Sequence, residues 1–155
     1  MRSVVIDANL LVLLIVGLVD RQLIQKHKRT RSFEPADFDL LTQILRGYED
    51  VVVTPNVMTE ASNLAAQVAE PSLTAVRQRL AAITSLQREE YRPSIDVVQH
   101  KDFLRLGLTD CGLLDVIGID IPLLTADHDL YVAAARKNHQ ATNFNHLRQA
   151  RLLGV

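Results

Sequence analysis

Leu108-Thr109-Asp110-Cys111-Gly112-Leu113-Leu114-Asp115-Val116-Ile117-Gly118-Ile119-Asp120-Ile121-Pro122-Leu123-Leu124-Thr125-Ala126-Asp127-His128-Asp129-Leu130 is the stretch whose reading decides the fold. Thr109 and Asp110 open a helix, Leu113, Leu114, Val116 and Ile117 continue it as an apolar run, and Gly118 closes it. Residues 119–125 are short, branched and apolar, which suits a buried strand. Ala126-Asp127-His128-Asp129-Leu130 then carries the chain into another helix. Asp127 therefore stands just past the carboxyl end of an expected parallel strand, where open α/β sheets place their ligand crevices.

The same order of signals recurs at the start of the chain. Residues 3–6 read as a strand, and Asp7-Ala8-Asn9 leads into the apolar helical run of residues 10–19. A third unit begins with Val51-Val52-Val53, followed by Thr54 as helix cap, Pro55 as first helical residue and a helix over residues 56–68 that carries Glu60. Strands are expected at residues 3–6, 51–53, 121–125 and 141–144, with room for a fifth in the break around Tyr91. The pattern predicts a three-layer α/β/α fold with a central, mostly parallel sheet.

Parallel strands laid side by side bring their carboxyl ends together, so Asp7, Glu60, Asp110 and Asp127 are expected to form one acidic cluster. Taken singly, each Asp has a capping explanation, because a carboxylate in the first turn complements the helix dipole. Glu60 has none, since it falls beyond the first turn beside Val57, Met58, Ala61 and Leu64. Asp129 lies on the same helix start as Asp127, where it could bind metal, touch a water or cap. Asp115 and Asp120 read as surface or turn acids. Four ionised carboxylates in a small volume raise one another's pKa, and a divalent cation is the ordinary remedy. Oxygen-only ligation points to Mg²⁺ or Mn²⁺. His27, His100, His139 and His146 lack Cys or His partners at zinc spacing. Asn9 and Thr125 are candidates to orient Asp7 and Asp127.

Val-Ile-Asp-Ala-Asn, Thr-Pro-Asn-Val-Met-Thr-Glu-Ala-Ser-Asn-Leu, Leu-Thr-Asp, Leu-Leu-Thr-Ala-Asp-His-Asp-Leu and Ala-Thr-Asn-Phe-Asn-His-Leu occur in that order. The ordered set resembles the PIN-domain family, metal-dependent nucleases that include VapC-type toxins, over residues 3–147. The resemblance implies an endoribonuclease directed at single strands, with Asp7, Glu60, Asp110 and Asp127 as catalytic, metal-binding acids for Mg²⁺ or Mn²⁺. Asp129 competes with Asp127 for the fourth position. In-line hydrolysis leaving a 5′-phosphate, an RNA substrate, a homodimer and an inhibitory antitoxin protein of a toxin-antitoxin pair are further implications. An alternative from another class is a catalytically silent PIN-like fold that serves binding or assembly, pairing through the helix of residues 10–19.

Composition sets the frame for these readings. The 155 residues, 48% hydrophobic and 23% charged, fit one domain over residues 1–155 with a sizeable core. A net charge of -1 excludes a polycation wrapped on nucleic acid, so any RNA contact must be local. The lone Cys111 excludes an internal disulfide and fits a reducing cytoplasm; it reads as a small buried helix residue. The run over residues 10–19 is too short to span a membrane, for which about 20 apolar residues are needed, and reads as a buried helix or one under a subunit interface.

Residues 21–31 form the densest basic segment, either a phosphate-contacting arm beside the acids or a solvated helix end and loop. Helices are further expected over residues 35–47, from Pro71 to Leu86 with Leu73, Val76, Leu80, Ile83 and Leu86 as a core stripe, over residues 95–106, and over residues 131–139 with Val132, Ala133 and Ala135 inward. Tyr91 and Arg92 are expected to pack a helix junction rather than reach RNA. Arg148 and Arg151 read as a basic tail. Nucleophile-elbow, phosphate-loop and dinucleotide-turn motifs are absent.

Overall fold

The computed structural model describes residues 2–118, 120–137 and 139–155. Five strands, β1 (Ser3–Ile6), β2 (Asp50–Val53), β3 (Arg88–Glu89), β4 (Leu123–Thr125) and β5 (Ala141–Asn143), make one sheet in the order β3-β2-β1-β4-β5. Every pairing is parallel, and Val5 sits opposite both Val52 and Leu123. β1 is thus the central strand. Burial on both faces explains why it reads as an uninterrupted apolar run rather than an alternation.

The described helices are α1 (Ala8–Val19), α2 (Pro35–Leu45), α3 (Pro55–Ala65), α4 (Ser72–Thr84), α5 (Ser94–Val97), α6 (Phe103–Val116), α7 (His128–Arg136) and α8 (Phe144–Leu153). Parallel connections are right-handed, so the helices that carry the chain outward from β1 to β3 lie on one face of the sheet, and those that carry it from β3 to β5 on the other. The packing agrees: α1 touches α2, α3 and α4, while α6 touches α5 and α7. The result is three layers, α/β/α, with an all-parallel sheet.

α1 anchors the first layer. Leu10, Leu11, Leu13, Ile15 and Val16 are fully buried, and only Leu14, Leu18 and Val19 on the apolar run are half-buried. Gly17 permits the closest contact, since a Cβ there would stand 2.1 Å from the ring of Phe38 on α2. Most of the helix is enclosed by its own fold, while Leu14 and Leu18 border an open apolar groove with Leu45, Ile83 and Leu86. Among the described residues no helix is long and apolar enough to cross a membrane.

Several expectations need correction. The fifth strand exists as β3, two polar residues at the sheet edge. The helix expected over residues 95–106 is broken into α5 and the start of α6; Val97 is buried while Ile95 and Leu104 face solvent. Leu86 lies past the end of α4 and is exposed. In α7 the inward residues are Ala133 and Ala134, not Ala135, because burial follows the helical stripe set by Leu130. Phe144 begins α8 rather than ending a strand, with Asn143 as its cap. Ile119, placed at a strand start, and Asn138, placed within a helix, lie outside the described residues.

Candidate acidic site at the sheet switch point

The chain steps from β1 to β2 to β3 in one direction, then returns to the other side of β1 to lay down β4 and β5. This reversal sets the switch point between the carboxyl ends of β1 and β4, a notch in the connectivity at the position where such sheets bind ligands. Asp7 leaves β1 and Asp127 leaves β4, so both border the notch.

Asp7 is 3% exposed and fixed by three donors. The Leu10 N–H donates to Oδ1 at 2.9 Å as the cap of α1. The Ala126 N–H donates to Oδ2 at 3.0 Å, and the Thr125 hydroxyl donates to the same oxygen. Burial raises the Asp7 pKa, the three hydrogen bonds oppose that rise, and the charge of Asp127 adds to it. Thr125 Oγ1 also accepts the Asp127 N–H at 2.9 Å, and Asp127 Oδ1 accepts the Leu130 N–H at 2.8 Å as the cap of α7. One hydroxyl therefore ties the two acids together across the switch point.

Asp110 sits in the part of α6 that restarts after Gly107, whose φ of 84° interrupts the helix. Its carboxyl is pushed up to about 7, first by burial and then by the charges of Asp127, Asp7 and Glu60. Glu60 is exposed on α3 and lines an open groove with Asn56, Thr59, Asn63, Leu64, Leu108 and Thr109. Asp127, Asp7 and Glu60 thus each act electrostatically on Asp110. Asp129 stands apart, its side chain 71% exposed and 4.0 Å from Arg105.

Repulsion reaches further than ligation. Among the described residues no three His, Cys, Asp or Glu side chains stand together closely enough to hold a metal ion, although Asp110 responds to three other acids. Coulombic influence acts over several ångströms, whereas Mg²⁺ takes oxygen ligands at about 2.0–2.1 Å. Asp7 commits both oxygens to hydrogen bonds. Glu60 and Asp110 make none with the described residues; Glu60 is exposed and Asp110 half-buried. In donor type the set suits a hard cation, since it is oxygen-only and crowded with like charge.

Sequence reasoning missed the support behind the site. Asn145 Nδ2 donates to the carbonyl of Ala126 at 2.9 Å, holding from behind the same residue whose N–H donates to Asp7. Arg148 Nη1 donates to Asn145 Oδ1 at 2.9 Å, and Arg148 Nη2 pairs with buried Asp37 at 3.1 Å. Arg151 reaches Asp37 at 3.1 Å. The expected basic tail is therefore part of α8 and clasps α2. A polar residue just after the last strand was the available signal for Asn145; for Asp37 it was an acid three residues after Glu34, the capping-box position of α2.

The basic segment divides by residue. Arg21 is paired with Asp39 at 2.6 Å, Arg29 donates to Gln67, and His27 is a satisfied buried histidine between the Ala65 carbonyl and the Arg29 N–H. Arg21 also follows the far end of α1, about 18 Å of helical rise from Asp7. The start of the segment is thus a paired loop remote from the acids. Cys111 is buried as expected, and His128 and Asn9 are exposed.

Compared with known proteins, the chain matches no family model and no curated sequence. The fold and the notch define it as a parallel α/β protein with an acidic switch-point site.

Proposed function

We propose that the protein is a Mg²⁺- or Mn²⁺-dependent endoribonuclease. The observation that supports this reading is that Asp7 and Asp127 stand at adjacent strand ends joined through the Thr125 hydroxyl, with Asp110 in electrostatic reach of both and of Glu60. The ordered resemblance to PIN domains supplies the reaction class. A bound divalent ion supplies Lewis acidity and lowers the pKa of water.

Asp7, Glu60, Asp110 and Asp127 would hold it. Thr125 and the Ala126 N–H keep Asp7 in place, so little reorganisation is needed on that wall. Asp127 is held by one oxygen as a cap, which leaves the other for the notch. Asn56, Thr59 and Asn63 line the groove beside Glu60 and offer donors to phosphate or ribose oxygens.

The test is cleavage of transfer, messenger and ribosomal RNA with Mn²⁺ by the parent and by Asp7→Asn. Asparagine can still cap α1, so the variant should fold. The expected outcome is cleavage by the parent, a loss of at least about 100-fold in the variant, and full inhibition by a chelator. Equal cleavage by both proteins, or none by either, would overturn the proposal.

Among the described residues no three acids stand poised around one point, which favours a second reading, a silent fold of the same shape that binds a partner. Titration calorimetry with Mn²⁺ separates the two, since only the nuclease reading requires uptake that Asp7→Asn abolishes. A homodimer and an inhibitory antitoxin partner belong to the proposal through the resemblance and are testable by sedimentation and co-purification.

A further inference from the structure

Unpaired RNA is usually gripped through its bases as well as its phosphates, and an aromatic face is the common platform. The chain has three Tyr and four Phe and no Trp. Phe33, Phe38 and Phe144 are buried, and Phe103 is half-buried. Tyr48 lies under the Arg2 guanidinium, and Tyr131 is half-buried with its ring edge-on to His146. Tyr91 is different: it is 69% exposed, and it does not pack the helix junction as its amphipathic character suggested.

Its position gives that exposure meaning. The Glu90 N–H donates to the Val53 carbonyl at 2.9 Å, so Tyr91 leaves the sheet at the same carboxyl rim as Asp7. β3 lies two strands from β1, about 10 Å across the sheet. Tyr91 and Arg92 border a small hollow with Thr54, Asn56, Ser94 and Gly112. Asn56 also borders the groove that holds Glu60 and Thr109. Asn56 therefore stands between the groove that holds Glu60 and the hollow beside an exposed aromatic ring. Arg92 is 3.6 Å from Glu90 and partly exposed, so it brings no unopposed charge; stacking is the stronger of the two offers.

We infer that Tyr91 and Asn56 form a subsite for an unpaired nucleobase next to the acidic notch, the base stacking on the Tyr91 ring and its edge facing the Asn56 amide. The inference rests on the nuclease reading for its substrate, and it adds that the substrate must present an unpaired base on the β3 side of the cleaved bond.

The experiment measures binding without cleavage. Fluorescence anisotropy of a short labelled single-stranded RNA of mixed sequence, in a chelator, compares the parent with Tyr91→Ala and Tyr91→Phe; the same strand annealed to its complement is the control. Tyr91→Ala should weaken single-strand binding by about 5- to 100-fold, Tyr91→Phe should retain it, and duplex binding should not change. Because the side chain is exposed, thermal midpoints should stay equal. Single-strand binding unchanged in Tyr91→Ala, with a parent that binds and cleaves, overturns the subsite alone. Absence of RNA binding and of cleavage by the parent overturns the nuclease reading and the subsite with it.

Discussion

Asp110 is a half-buried carboxylic acid whose ionisation the fold resists. Its pKa stands at about 7 against an ordinary 3.8, through burial first and through Asp127, Asp7 and Glu60 next. A raised folded-state pKa means that protonation stabilises the fold; this contribution is complete below the ordinary value and is lost as pH rises through about 7. Asp110→Asn removes the titration. Without divalent ions, calorimetric midpoints of variant and parent should coincide near pH 4 and separate in favour of the variant toward pH 8. Added Mn²⁺ should then stabilise the parent more than the variant, by mass action on the folded state. A variant less stable than the parent at pH 8 would contradict the crowding of charge. At this scale the position of Asp7 was legible, because an acid directly after an apolar strand is visible in one dimension. The aim of each head group was not. Asp129 turned out to face Arg105, and Asn145 acts through a peptide carbonyl that no motif announces.

Gly107 governs the element that presents Asp110. Its φ of 84° and ψ of -178° belong to a region that essentially only glycine occupies, and an added Cβ would meet nothing within 4 Å. Gly107→Ala is therefore a backbone experiment without a steric clash. It should cost about 1–3 kcal/mol in urea unfolding and lower cleavage, since the helix can no longer restart where Asp110 requires it. A silent substitution would show that the kink is incidental. Elements with long unbroken apolar runs, β1, α1 and the second part of α6, were readable from the chain alone. β3 was not, because Arg88 and Glu89 carry no strand pattern and become a strand only by pairing with Val52 and Val53. The α5 and α6 boundary was missed for a related reason: Ile95 and Leu104 look like core residues but face solvent, so an apolar count alone overstates the helix there.

Across the whole molecule, α8 is closed onto α2 by Asp37. Burial would raise that carboxyl, but the Glu34 N–H and the Arg148 and Arg151 guanidinium groups outweigh burial and hold it below its usual value. Arg148 also lies over the Phe33 ring at 4.6 Å. Asp37→Ala leaves Arg148 without a carboxylate partner and Arg151 with only Glu34, 3.5 Å away, and should cost about 2 kcal/mol. A lowered folded-state pKa stabilises above the ordinary value of 3.8 and ceases to do so as pH falls below it. The gap in urea midpoint between parent and variant should accordingly shrink as the pH is lowered toward 3, and a constant gap would rule out the ion pair as its source. The placement of β1 beside β4 has one last consequence. Asp7 and Thr125 touch although they lie 118 positions apart, so the notch is a seam between the two halves of the chain. A cut in the exposed loop at Tyr91 would leave Asp7 and Glu60 on one fragment and Asp110 and Asp127 on the other, so neither piece would own the full set and any activity would report on their reunion.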